Sequence, residues 1–493
     1  MKYAVVHMGA ICYNPLCRHL KTHRKPGKMR KNCFRIKPQI AFPNFAKSIT
    51  GPLALIMIVY LVLAVSYAVL TPPWETPDEP AHYRYVVQLA ERWRPPPDPM
   101  VRQRDRFCRD YIYTSSNYEW YHPALGYLSL AAAYKILKVL APHSLPVSIP
   151  PFNPLFCSDP FTYPNLFYLE THSPIEIWRH QWGLLVLRIS SSLWGLVIIF
   201  ATYRVGQMAG LRLSAIVASS WVAFLPQFVF ISASVRNDTL NNTLAALLFL
   251  LVANALFSKV QHPKFAITMG LVVGIGMLTK ITFAYLIPVA LLAIIWSSSS
   301  PKKQIGSALC VVGLSLTIVA LYYLNYPEAR ASLYYMSTQM KINPRSLSWS
   351  YWKPFFPMLL DLFFARFGWA NVPLPSWWIR TAFGIWTLGA SLSVYHTIRL
   401  SKYQKNSPEI YLMLLSLASL ILAFAGVIRY NLSVFQPQGR FLFPALVGWA
   451  HLGTWGILTS LPKWARHPVA LAMMGYMFLF NLRALISLVS TYY

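Results

Sequence analysis

Asp78, Glu79 and His82 crowd into the short segment Pro77-Asp78-Glu79-Pro80-Ala81-His82-Tyr83. A carboxylate in such a place could take a proton from an attacking hydroxyl, and with an imidazole it could hold a divalent metal. His82 follows Asp78 by four positions, which puts the two on one face of a helix. Thr76 or Asp78 can cap that helix, and Pro80 suits its first turn. An ordinary capped helix would use the same residues, so the segment alone leaves catalysis, a metal (Asp78, Glu79, His82) and plain capping all open.

The elements that must carry these groups are set by the solvent. Of 493 residues 56% are hydrophobic and only 12% charged, and the mean hydropathy is +0.42, outside the range of soluble domains. A bilayer core of roughly 30 Å needs about 20 apolar residues per helix. Such stretches occur at 51–71, 183–205, 213–233, 240–257, 265–280, 282–297, 304–324, 378–398, 409–428, 441–460 and 468–489. The sequence therefore predicts an all-α, polytopic transmembrane helix bundle of about eleven spans. Residues 1–50 are rich in Lys and Arg and read as a basic cytosolic tail, followed by a first transmembrane helix over 51–71 rather than a cleaved signal peptide. Residues 72–182 form an extracytoplasmic loop, 183–324 spans 2–7, 325–377 a second extracytoplasmic segment, and 378–493 spans 8–11.

Orientation follows from the short loops. Arg204, Arg212, Lys259, Lys264, Lys302, Lys303, the Arg399 to Lys405 stretch, Lys463 and Arg466 all fall on the side of the tail, which the positive-inside rule makes cytoplasmic. The same topology gathers eleven of the 15 acidic residues in the 72–182 loop, Glu119 among them, and leaves only Glu409 facing the cytoplasm. A loop of that length is expected to be folded and functional. It and the second outer segment are expected to carry surface helices, near His122–Leu140 and Tyr351–Phe367. Cys108 and Cys157 share the loop and are a disulfide candidate in an oxidising compartment.

Some functions are disfavoured. The net charge of +29 is spread among spans, with no compact basic domain bearing interleaved aromatics, so an anionic leaflet is a better partner than nucleic acid. There is no Walker loop, no Gly-x-Ser-x-Gly elbow and no His-Glu-x-x-His helix, which argues against autonomous ATP-driven transport, a serine hydrolase and a zinc peptidase.

Asp78-Glu79-Pro80-Ala81-His82 resembles the DEPAH signature of a polytopic bacterial membrane family termed domain of unknown function 2142. That family is related to the GT-C glycosyltransferases, which use polyprenyl-phosphate sugars and include aminoarabinose and protein-mannosyl transferases. Matching segments follow in order: Tyr121-His122-Pro123-Ala124-Leu125, Leu225-Pro226-Gln227 through Arg236-Asn237-Asp238, Gly274 to Lys280, Arg366-Phe367-Gly368-Trp369 with Val372-Pro373-Leu374-Pro375, and Gln438-Gly439-Arg440-Phe441. The resemblance implies a GT-C-type bundle in the bacterial inner membrane, with its N-terminus cytoplasmic. It implies transfer of a sugar from a polyprenyl-phosphate donor to a lipid or glycan acceptor at the extracytoplasmic face. Asp78 would be the catalytic base or acceptor-positioning group, with Glu79 beside it and Glu119 as the second carboxylate of the loop. Sugar-transferring relatives often carry Lys before the proline matched by Pro123, where this chain has His122, whose charge depends on pH.

A lipid phosphate stays at the membrane surface, so its ligands belong at the outer helix ends, where Arg236, Lys280, Arg429 and Arg440 are expected. Arg440 offers the planar fork that suits phosphate, and Lys280 a point charge. Snorkelling to the interface would equally explain Arg429 and Arg236, and Asp238 can serve simply as the ion-pair partner of Arg236. His82 and His122 complete the expected substrate-binding group. Trp349, Trp352, Trp369, Trp377 and Trp378 could stack on a sugar or form an interfacial belt. The rival reading is a non-catalytic transporter of lipid-linked glycans or an assembly protein of the envelope, for which ionisable groups near the bilayer midplane would speak.

Overall fold

Proline sets where many of the helices begin. Pro52, Pro80, Pro174, Pro226, Pro301, Pro327 and Pro408 each stand in a first turn, where the missing N–H costs nothing and the fixed φ is already helical. A computed structural model of the chain describes residues 50–98, 118–169, 173–258, 263–297, 300–404 and 407–493. They belong to one unit, Phe42–Tyr493. The basic tail short of Thr50, and Cys108, lie outside the described residues.

Every expected span is helical. The helices are α1 (Gly51–Leu70), α2 (Glu79–Arg92), α3 (Leu125–Leu140), α4 (Pro174–Met208), α5 (Arg212–Ala223), α6 (Pro226–Ser232), α7 (Asp238–Ser258), α8 (Pro263–Met277), α9 (Ile287–Ser297), α10 (Pro301–Asn325), α11 (Pro327–Gln339), α12 (Phe355–Phe364), α13 (Ser376–Ser401), α14 (Pro408–Asn431), α15 (Leu446–Ser460) and α16 (Lys463–Tyr492). Among the described residues, seven helices are long and apolar enough to cross a bilayer, and the α5–α6 pair, bent by 59°, passes the same test only when its two helices are taken together. Not all of the roughly eleven apolar stretches expected from hydropathy are single long helices. The segments expected at 265–280 and 282–297 are the short α8 and a 3₁₀ turn, Ile281–Leu286, leading into α9, while α13 is long enough but less apolar. The helix of the second expected span also starts early, at Pro174, because α4 continues past a break at Gln181 (φ −125°, ψ 18°) into the segment expected to be loop.

Small residues let the helices close up. Gly195 of α4 receives the Tyr60 ring of α1, whose hydroxyl donates to the Ser192 carbonyl at 2.9 Å. Gly270 and Gly274 of α8 face the backbone of α10 at Val311 and Ser315. The described residues between α1 and α4 contribute Trp74, Tyr83, Tyr85, Tyr127, Tyr134, Phe156 and Phe167 to a second core, which they share with Leu184 and Leu187 of α4. The expected His122–Leu140 surface helix is α3, and Tyr351–Phe367 resolves into a turn at Trp349–Trp352 followed by α12. A two-residue hairpin pairs Arg366–Phe367 with Val372–Pro373.

Candidate active site

The Pro-rich exit from α1 positions Asp78. Trp74 (φ 71°) and Asp78 (φ 66°) both have left-handed backbones, a conformation that strains any residue but glycine and clusters at functional sites. Asp78 occupies the N-cap position of α2 but makes no side-chain cap bond. Its carboxylate instead points outward, where Oδ2 lies 2.8 Å from Arg440 Nη2 and Oδ1 accepts the Tyr118 hydroxyl at 3.1 Å. Its side chain remains 20% exposed, which leaves it within reach of a substrate.

A second carboxylate completes a charged cluster. Asp238, the first residue of α7, lies 2.7 Å from Lys280 Nζ, 3.5 Å from Arg236 Nη1 and 3.8 Å from Arg440 Nη1. Lys280, which reads in the sequence as standing alone between two spans, is thus paired. Beyond the 59° bend between α5 and α6, the Ser234–Asn237 turn meets the Asp78 turn, with Arg236 Nη2 donating to the Pro77 carbonyl at 2.5 Å. Gln227, just beyond the break, accepts the Arg366 N–H at 2.9 Å, and Trp369 Nε1 donates to the Trp74 carbonyl at 3.2 Å. The motifs from Leu225, Arg236, Gly274, Arg366 and Gln438 therefore meet around one turn. Three cations here face two carboxylates, and Arg440 Nε and Nη1 and Arg236 Nη1 are buried donors without a hydrogen-bond acceptor.

Electrostatics keep Asp78 ionised. Burial pushes its carboxyl up, but Arg440, Arg236 and the Tyr118 hydroxyl together outweigh that and hold it below the usual carboxylate value. Burial likewise pushes Glu119 up, and its contact with His122, 2.8 Å away, works against that and holds it below the usual carboxylate value. His82 is pushed down to about 3, chiefly by burial and against the pull of Glu119, so it is a neutral imidazole near pH 7. Its Nδ1 lies 2.7 Å from the Tyr127 hydroxyl.

Glu79 must be reassigned. Its side chain has no exposure and turns away from Asp78 to meet Arg188, with Nη2 to Oε2 at 2.5 Å and Nε to Oε1 at 2.9 Å. It also accepts the Val235 and Trp74 N–H groups. Arg188 further donates to the carbonyls of Ala68, Thr71 and Pro72. This buried clamp ties the end of α1, the start of α2 and the 235 turn to α4, and it leaves Glu79 no access to a metal or substrate. The donors that do converge are Asp78, His82 and Glu119, within 4.8 Å of one another. Two carboxylate oxygens and a neutral imidazole suit a divalent cation.

Of the remaining expected residues, Arg429 bonds Ser433 and the Met340 carbonyl, apart from the cluster. Trp377 and Trp378 stack on each other, with Trp378 against Phe480 of α16, and Trp349 is exposed, so the tryptophans do not gather into one platform. Cys157 is disulfide-bonded. Sequence reasoning missed Tyr118, Tyr127 and Arg188. Only Arg188 carried a signal, as an arginine inside an apolar span, where a charge implies a buried partner.

A bundle of broken and unbroken helices, capped by a folded loop that presents a strained, accessible carboxylate to an arginine, defines a polytopic membrane protein with a charged centre at one end. The chain belongs to the family described as Predicted membrane protein (DUF2142), whose profile matches residues 157–448, more than half of its length. That match takes in Arg236, Asp238, Lys280 and Arg440 and leaves Asp78 and His82 outside it. No curated protein matches the chain. Among solved structures it is similar to ArnT from Cupriavidus metallidurans bound to undecaprenyl phosphate, at 12% identity and a TM-score of 0.47, over 89% of this chain and 76% of that one. It is also similar to the Archaeoglobus fulgidus oligosaccharyltransferase in complex with zinc and sulfate, at 12% identity and a TM-score of 0.46, over 88% of this chain. It spans 53% of that enzyme's length.

Proposed function

We propose that the protein is a GT-C-type membrane glycosyltransferase, moving a sugar from a polyprenyl-phosphate donor to a lipid or glycan acceptor at the extracytoplasmic face. The observation that carries this reading is the pairing of accessible Asp78 with Arg440, a buried arginine that keeps two donors unused. Such a pair can serve a hydroxyl and a phosphate at once. The ordered family motifs that converge on this turn support the same reading.

In the proposed reaction the acceptor oxygen attacks the anomeric carbon, and its proton passes to or is held by Asp78. The bond from that carbon to the phosphate oxygen breaks, and the electron pair leaves with the lipid phosphate. Arg440 and Lys280 meet the charge that grows there, and preorganised cations in a dry site act most strongly on such charge. Arg440 also neutralises Asp78 at rest. A phosphate that draws the guanidinium toward itself would leave Asp78 freer to accept a proton, so donor binding and base activation are linked. Asp78, His82 and Glu119 are the residues that would hold a divalent cation, which would supply Lewis-acid stabilisation of the phosphate when bound.

Asp78→Asn tests the proposal in proteoliposomes supplied with a panel of radiolabelled undecaprenyl-phosphate sugars. The expected outcome is transfer reduced at least 100-fold, on the scale of a lost general base, with donor lipid still bound. Undiminished transfer by the variant would overturn the role of Asp78. Donor lipid crossing the bilayer with no transfer in the wild type would favour a transporter instead.

A further inference from the structure

The helical stretch that begins at Arg440 ends in a second charged site. The Gly439–Ala445 3₁₀ turn and α15 run without a break from Arg440 to Ser460. At ~2.0 Å and ~1.5 Å per residue they cover roughly 30 Å, the thickness of one bilayer core. At that far end lies a cavity of about 290 Å³ between α13 and α15, lined by His396, Arg399, Leu400, Tyr403, Trp455 and Thr459.

Its lining chemistry is one-sided. The Arg399 guanidinium makes no hydrogen bond or ion pair among the described residues. No Asp or Glu occurs anywhere in α13 or α15, so neither helix can supply a counter-charge. Lys402 and Lys463 flank the lining residues in sequence, and beyond residue 361 the one acidic residue is Glu409. His396 is occupied: its Nε2 lies 2.7 Å from Ser460 Oγ, and its ring stands edge-on to Trp455. The groups left to meet a ligand are therefore a guanidinium and the hydroxyls of Tyr403 and Thr459, over an indole floor. An uncompensated arginine with neighbouring donors is the ordinary recognition set for phosphate.

The surroundings single out a lipid as the carrier of that phosphate. Leu388, Tyr395 and Ile398 are 57%, 56% and 58% exposed on α13, and Tyr395 lies one turn below Arg399 on the same face. An apolar stripe thus runs along the outside of the bundle to the charged cavity, as acyl chains below a headgroup require. Basic pockets between helices at a cytoplasmic surface are the usual seats of anionic headgroups.

We propose that this cavity binds the phosphate of an anionic membrane phospholipid, with Arg399 as its charge partner and the lipid's acyl chains along the α13 stripe. The site is independent of the Asp78 centre and of the reaction proposed for it.

The test uses the full chain in an uncharged detergent, with phosphatidylglycerol, phosphatidylcholine of the same acyl chains, or inorganic phosphate added. Saturating phosphatidylglycerol is expected to raise the melting temperature by roughly 2–4 °C, with little effect of the other two. Arg399→Gln should abolish the excess over phosphatidylcholine, and Arg399→Lys should keep part of it. Native mass spectrometry should show phosphatidylglycerol retained by the wild type and lost from Arg399→Gln. Equal effects of the two lipids, or a phosphatidylglycerol effect unchanged in Arg399→Gln, would refute the site. An equal rise with inorganic phosphate would refute its assignment to a lipid.

Discussion

At the scale of single residues, two neighbours in sequence have opposite fates. Asp78 and Glu79 are indistinguishable as carboxylates in a proline-flanked turn, yet Asp78 is a left-handed N-cap and Glu79 the first helical residue, so their side chains diverge. One reaches Arg440 and remains accessible, while the other is buried against Arg188. A third carboxylate, Glu75, is fully buried, with Oε1 accepting the Phe167 N–H at 3.1 Å. Burial raises its pKa to about 8, only partly opposed by backbone donors and Arg188. The folded state therefore keeps a proton on Glu75 that the unfolded chain releases near pH 4.5. Its contribution to stability is complete below the unfolded value and is lost as pH rises through about 8, a change of about 5 kcal/mol at most. The melting temperature should fall across that window, and Glu75→Gln, which cannot ionise, should flatten the fall; an unchanged pH profile in the variant would show that Glu75 is not the group responsible. Asp78, His82, Lys280 and Arg440 were legible as chemistry in the sequence because charge is rare in an apolar chain. Which of them touch was not, since Asp78 and Arg440 stand 362 positions apart.

At the scale of elements, the sequence places helices well and misjudges their continuity. Hydropathy marks 213–233 as one span, but Pro226 cannot supply the N–H that would continue the helix, and the segment bends by 59°. Beyond that bend Gln227 accepts the Arg366 N–H and Arg236 bonds the Pro77 carbonyl, so the irregularity serves the site. Contact between α13 and α15 was equally hidden, because glycines add nothing to hydropathy. A Cβ on Gly389 would overlap the Gly453 carbonyl, and Ser393 Oγ bridges the Leu452 carbonyl and the Gly456 N–H. The obstacle to a side chain there is backbone, which cannot rotate aside. Gly389→Ala should therefore cost ~1–3 kcal/mol in thermal unfolding. Gly384→Ala on the same helix meets nothing within 4 Å and should be neutral or slightly stabilising. Equal melting temperatures for the two variants would mean that the helices do not pack this closely.

At the scale of the whole molecule, charge divides the bundle into two unlike ends. The Asp78 cluster lies where α14 ends and the Gly439 turn begins, and the Ser348–Trp352 turn is tied to that end through the Tyr351 hydroxyl and the Asn431 carbonyl. α10 carries Lys302 in its first turn and Tyr322 in its last, and the Tyr322 hydroxyl accepts the Ala124 N–H beside His122 and Glu119. Twenty helical residues separate Lys302 from Tyr322 by roughly 30 Å, so Lys302 and Ser350 mark opposite ends of the bundle. Both are exposed, and each can be replaced singly by cysteine in a chain whose Cys12, Cys17, Cys33 and Cys310 have become serine. The positive-inside rule applied to the basic short loops predicts that the Lys302 face is cytoplasmic. A membrane-impermeant maleimide added to intact cells should then label Ser350→Cys, and Lys302→Cys should react only after permeabilisation. The reverse pattern would put Asp78 and Arg440 on the cytoplasmic side and the Arg399 cavity outside, away from the leaflet whose anionic lipids it is proposed to hold. One labelling experiment thus constrains both sites, because a continuous helical stretch joins them and neither can change sides alone.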